Sequence, residues 1–220
     1  MEDWIRIEVL GEPLLQKYAW AIPNYQAIQI LKKFSPIIEI GAGKGYWASL
    51  MEQEGINVQA YDLYPPSKCW TKVKKGDPSI LSTKKSKLPS NTTLFLCYPD
   101  QGSSVGLECL NHILESTSSD SSDSSDSNNS SYCQYIIHVG ELIHTGCASG
   151  APQAPWGRSS SPDFQVKLSE LYHCILTLPL LSFPFSRDFL TVWKRTRHIN
   201  MKEEDQNNDN NDNDDNDDSN

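Results

Sequence analysis

Ile37-Ile38-Glu39-Ile40-Gly41-Ala42-Gly43-Lys44-Gly45-Tyr46-Trp47-Ala48 sets three glycines in five positions between an apolar run and a segment of helical character. Ile37 to Ile40 is short, apolar and β-branched apart from Glu39, which suits a strand buried on both faces. Tyr46 to Glu54 reads as a helix closed by Gly55, the residue type preferred just past a helix end. Glycines at a strand-to-helix turn allow backbone N–H groups to approach a ligand closely.

Working outward, Asn24 follows Pro23 and precedes Ala27, Ile28, Ile30, Leu31 and Phe34, a helix start followed by helical spacing that ends before Ser35-Pro36. Downstream, Ile56 to Tyr61 alternates and meets Asp62, so Ile37 to Asp62 forms a strand-turn-helix-strand unit. Thr93 to Cys97 and Tyr135 to Val139 are further strands, with Val105 to Leu114 a helix between them. Leu168 to Tyr172 reads as helix, and Cys174 to Leu181 and Asp188 to Arg195 as strands joined by the turn SFPFS. Alternating strands and helices that end in a hairpin point to an α/β doubly wound sheet with an antiparallel edge.

Two tracts stand apart from this pattern. ESTSSDSSDSSDSNNSS from Glu115 to Ser131, and the Asn/Asp-rich stretch of residues 201–220, are too poor in apolar residues to offset the entropy of ordering them. We expect disorder in both, leaving a single domain over residues 1–200 interrupted by the insert at 116–131. Removing the −12 carried by the two tracts from the formal −9 leaves a folded part near +3, so the acidic balance describes the tracts and not the globular surface.

The six cysteines, Cys69, Cys97, Cys109, Cys133, Cys147 and Cys174, show no CxxC and no zinc-like spacing, so no metal is expected. No apolar run is long enough for a membrane span, and MEDWIRIEVL lacks the basic start and apolar centre of a secretory signal. The expectation is a cytoplasmic protein with no membrane partner, the nucleus remaining open. Seven of the nineteen Lys and Arg residues fall between Lys68 and Lys87. Without a recognised nucleic-acid motif that cluster reads as a solvated loop, and nucleic acid is not the expected partner.

Spacing within the turn distinguishes ligands. A dinucleotide fingerprint, G-x-G-x-x-G, would require glycine at position 46, where Tyr46 stands. What is present is E-x-G-x-G-x-G, followed one helix and one strand later by Asp62. This combination resembles the motifs of class I S-adenosylmethionine-dependent methyltransferases. Together with AYDLYPP, LCYP and HVGE, it looks like a group of methyltransferase-like proteins without an assigned substrate.

The resemblance spans roughly Pro36 to Arg197 and implies a Rossmann-like, mostly parallel sheet of seven strands with an antiparallel C-terminal strand. It implies S-adenosylmethionine as cofactor, with Gly41, Gly43 and Gly45 under its methionine and ribose, and Glu39 orienting its ammonium. Asp62 would accept from both ribose hydroxyls, and Asp77 from the adenine amino group. At the end of Thr93 to Cys97, amine methyltransferases carry Asp, Asn or Ser before Pro-Pro and an aromatic residue. Here Tyr98-Pro99-Asp100 departs from that pattern.

Tyr98, Asp100 and Glu141 are the candidates to line the acceptor slot and to orient or deprotonate the acceptor, a small molecule or protein of unspecified identity. His138, set between Ile137 and Val139, reads as a core residue. Tyr18, Trp20, Tyr46 and Trp47 could wall a pocket. A noncatalytic cofactor-binding or interaction module of the same fold stays open beside the enzyme reading.

Overall fold

The computed structural model describes residues 13–82, 88–89, 91–118, 133–142, 159–182 and 187–196. A helical stretch over 13–17 leads into α1 (Tyr25–Lys32), β1 (Ile37–Ile40), α2 (Tyr46–Gln53), β2 (Val58–Asp62), β3 (Val73–Lys75) and a short 3-10 helix (Pro78–Leu81). Then follow β4 (Thr93–Cys97), α3 (Val105–Ser118), β5 (Tyr135–Gly140), α4 (Pro162–Leu171), β6 (Tyr172–Pro179) and β7 (Phe189–Arg195). The seven strands form one sheet in the order β3-β2-β1-β4-β5-β7-β6. All neighbouring pairs are parallel except those of β7, which runs antiparallel to both β5 and β6. This is the α/β Rossmann-like sheet with an antiparallel C-terminal strand.

The side-chain alternation of each strand feeds two apolar layers. Ile37, Ala60, Phe95, Ile137 and Val139 meet α1 and α2 on one face, through Ala27, Ile28, Leu31, Trp47, Ala48 and Met51. Ile38, Ile40, Leu94, Leu96 and Ile136 meet Leu110 and Ile113 of α3, Phe164 and Leu168 of α4, and Leu81 on the other. Strands buried on both faces explain why β1 and β4 read as apolar runs instead of alternating. Among the described residues no helix is long and apolar enough to cross a membrane.

Several boundaries differ from expectation. α3 continues past Leu114 to Ser118, because Ser116 is buried and its hydroxyl donates to His112 O at 2.8 Å and reaches Leu81 O at 3.3 Å. Composition assigned those residues to the polar insert, whereas a single anchored serine extends the helix. α4 starts six residues before Leu168, at Pro162, where the Ser161 side chain accepts from Phe164 N–H and proline occupies the first turn. β3, whose sequence is mostly lysine, pairs with β2 at the sheet edge, where lysine is a common protection against further pairing. The remainder of the insert, residues 201–220, Cys147, Lys84, Lys85, Lys87 and most of SFPFS lie outside the described residues.

His138 is fully buried on β5 against Phe164, with no hydrogen-bond partner at either ring nitrogen. Burial alone lowers its pKa to about 3, so the folded protein holds a neutral imidazole. Because the unfolded chain takes up a proton near pH 6.5, stability contributed at neutral pH is lost as pH falls toward 3, by about 1.4 kcal/mol per pH unit. His138→Leu should flatten that acid slope in chemical denaturation series, and an unchanged slope would show the ring is not held neutral.

Candidate functional site

The strand order reverses between β1 and β4, and in open α/β sheets the crevice at the carboxyl ends of such strands is where ligands bind. The glycine turn lies at that end of β1. Gly41, Gly43 and Gly45 all have positive φ, at 78°, 54° and 70°. A Cβ at Gly45 would come 2.7 Å from Val73 Cγ2, so that glycine is needed for packing as well as for φ. At Gly41 and Gly43 a Cβ would meet nothing within 4 Å, which leaves the face above them open.

The turn is fastened to β2. Gly41 and Ala42 N–H both donate to Tyr61 O at 2.9 Å, and Gly43 N–H donates to Asp62 Oδ2 at 2.8 Å. The other oxygen of Asp62 accepts from Tyr64 N–H at 2.9 Å. Each carboxylate oxygen therefore carries one backbone bond and keeps a second acceptor site.

Above the turn is a cavity of about 300 Å³ lined by Glu39, Gly41, Ala42, Gly43, Lys44, Tyr46, Trp47, Pro66 and Cys97 on the sheet side. Its opposite wall is the segment Leu15, Gln16, Tyr18, Ala19 and Trp20. An aromatic clasp holds that wall down. The Tyr18 ring stacks on Trp70 with centroids 5.4 Å apart and meets Tyr46 edge-on at 5.1 Å. Trp70 Nε1–H donates to Lys17 O, and Trp70 N–H to Lys44 O, each at 2.8 Å.

Glu39 is the unusual group in this cavity. It is 2% exposed, and the Ala48 N–H in the first turn of α2 lies close enough to favour its charged form. Gly45, the residue before that helix, offers no side-chain cap. Burial, with a smaller push from Asp62, nevertheless raises its pKa to about 8. Among the described residues Glu39 Oε2 has no hydrogen-bond partner, and neither does the buried Trp47 Nε1 on the same cavity wall. A buried acceptor without a donor is the kind of group an incoming ligand cation would satisfy.

A second polar cluster sits where β4, β5 and β7 meet. Tyr98, in the left-handed region at φ 50°, donates its phenol hydrogen to the buried Asp188 and stacks beside Trp20 with centroids 6.2 Å apart. Burial and the Asp188 carboxylate push the Tyr98 phenol well up, so it stays protonated. Glu141 is buried and accepts from Arg187 N–H at 2.8 Å, and burial raises its pKa. Asp100 is not part of this cluster. It is exposed, and its carboxylate turns back to accept from Gly102 N–H at 3.3 Å, the local bond expected of a turn aspartate. Asp77 likewise does not line the cavity and caps the 3-10 helix, accepting from Ser79 N–H at 2.8 Å.

Sequence reasoning missed Asp188, Trp70 and the 15–20 wall as a unit. Asp188 lies one residue before β7 with no motif around it, and only the fold brings it to Tyr98.

No family model matches the chain, and no curated protein matches it. Among solved structures, it is similar to the Burkholderia thailandensis 1,6-didemethyltoxoflavin-N1-methyltransferase with bound S-adenosylhomocysteine, at 12% identity and TM-score 0.48, covering 89% of this chain and 87% of that one. It is similar to magnesium protoporphyrin IX methyltransferase from Synechocystis PCC 6803, at 11% identity and TM-score 0.42, covering 78% and 81%. The N-methyltransferase NodS from Bradyrhizobium japonicum WM9 shows 10% identity and TM-score 0.44, covering 78% and 85%. At these scores the likenesses carry no functional weight, and the strand order itself defines the fold.

Keeping Glu39 buried destabilises the fold as pH rises from about 4.5 to 8, since the folded carboxyl holds its proton while the unfolded one releases it, at about 1.4 kcal/mol per pH unit. Glu39→Gln keeps the shape of the side chain and removes the titration. Its unfolding midpoint should therefore exceed that of the parent at pH 8 and converge with it near pH 5. A variant less stable than the parent at pH 8 would mean that Glu39 is ionised and satisfied in the ligand-free fold.

Proposed function

We propose that the chain binds S-adenosylmethionine in the cavity over the glycine turn and acts as a methyltransferase on a small-molecule or protein acceptor. The observation that carries this reading is Glu39 Oε2, buried and unpartnered beside an open glycine face. An α-ammonium placed there would draw the carboxyl into its ionised form and replace a buried orphan with a charge-assisted pair. The open acceptor sites on Asp62 suit a ribose diol, and the Gly41 and Gly43 faces admit the ligand backbone without a Cβ in the way. The cofactor would supply a methyl group already activated on a sulfonium.

Alignment is then the protein's main task. Cys97, at the end of β4, lines the cavity, and the next residue is Tyr98, whose ring orientation is set by Asp188 and Trp20. That sequence of contacts leads from the donor cavity to the Tyr98, Asp188 and Glu141 cluster, where we place the acceptor. A noncatalytic binding module of the same fold is the second reading. It is favoured by the commitment of the Tyr98 phenol hydrogen to Asp188.

Thermal unfolding of the full chain with S-adenosylhomocysteine, S-adenosylmethionine or NAD separates these possibilities from an empty turn. Either adenosyl ligand at about 100 times its dissociation constant should add about 2.7 kcal/mol, read as a midpoint shift of several degrees, while NAD should add nothing. Asp62→Ala should remove the shift. A shift with NAD alone, or one of full size in Asp62→Ala, would refute the assignment. Methyl transfer to any acceptor in a mixed metabolite or peptide pool then decides enzyme against module.

A further inference from the structure

The connection from β2 to β3 exposes aromatic rings among lysines. Tyr64 is 77% exposed and Trp70 46% exposed, and Lys68 and Lys72 are exposed on the same loop. The two bonds from Trp70 to the Lys17 and Lys44 carbonyls bring two more lysines to this place, and the Lys17 ammonium lies 5.0 Å from the Tyr18 ring that stacks on Trp70. None of the four lysines is in an ion pair among the described residues. The nearby carboxylates Asp62 and Glu52 accept from Gly43 and Tyr64 N–H and from the Thr71 hydroxyl, and neither pairs with these lysines among the described residues. Lys74, by contrast, is occupied with Gln59 and Tyr61 and belongs to the edge strand.

We propose that Tyr64 and Trp70, ringed by Lys17, Lys44, Lys68 and Lys72, form a docking surface for a single-stranded oligonucleotide alongside the mouth of the cavity over the glycine turn. Unstacked bases would lie on the two rings, and the lysines would follow the phosphates, the combination by which single strands are held without sequence readout. Lys44 and Pro66 line both the loop's inner side and the cavity, so a bound strand runs past the cavity entrance. The proposal concerns a binding surface and stands whether or not the methyl-donor reading does.

The test is fluorescence anisotropy of the full chain, without added cofactor, against a labelled single-stranded oligouridylate of roughly 12 nucleotides, with an unlabelled duplex as competitor. Binding should weaken steeply between about 50 and 200 mM salt. Tyr64→Ala should weaken it at least about fivefold with the salt slope unchanged, since base stacking and not charge is lost. The double variant Lys68→Glu with Lys72→Glu should weaken binding and flatten the slope. Absence of binding at low salt, equal preference for the duplex, or no effect of Tyr64→Ala would overturn the proposal. Binding seen only after the nine acids of residues 201–220 are replaced by their amides would also overturn it, assigning the lysines to the chain's own acidic tract.

Discussion

The bond from Gly43 N–H to Asp62 Oδ2 joins the turn after β1 to the end of β2, and the rest of the site depends on it. With Tyr61 O taking the Gly41 and Ala42 amides, it fixes three consecutive N–H groups of a turn that has no side chains of its own to hold it. α2 can begin only where that turn ends. Gly45 offers that helix no side-chain cap, and Glu39 lies buried near its first turn. One carboxylate thus fastens the turn, while the other lies buried in the wall of the cavity.

That arrangement carries an electrostatic strain. Asp62 raises the cost of ionising Glu39, and burial adds the larger share. Asp62 accepts from two amides and is partly open to water, whereas Glu39 is buried with an orphan oxygen. Two acids on adjacent strands therefore sit differently, one a fixed hydrogen-bond anchor, the other a buried group that we propose pairs with a ligand cation. A neutral residue at position 39 would carry no such cost, which favours the proposal that the site holds a ligand cation.

Much of this was legible in the sequence, for identifiable reasons. β1 came out with the right ends because it is apolar on both faces and bounded by Pro36 and Gly41, and the GxGxG spacing and Asp62 are local patterns that need no knowledge of packing. Residues whose roles depend on distant partners were less accessible. Asp100 looked equivalent to Tyr98 from its place after β4, but its carboxylate bonds locally to Gly102 N–H while the Tyr98 phenol reaches Asp188, ninety residues away. β3 was obscured by lysines because an edge strand need not be apolar, and Trp70 by lying in the same lysine-rich stretch. Local chemistry was readable, and long-range pairing was not.

The claim that Glu39 awaits an ammonium is tested most directly by calorimetric titration of the full chain with S-adenosylhomocysteine at pH 7 in buffers of different ionisation enthalpy. With a carboxyl that titrates at about 8 in the free protein, most molecules hold the proton, and pairing with the ligand's ammonium must expel it. The account predicts saturable binding with release of a sizeable fraction of one proton, abolished in Glu39→Gln. Binding with no proton exchange, and undiminished by that substitution, would contradict it.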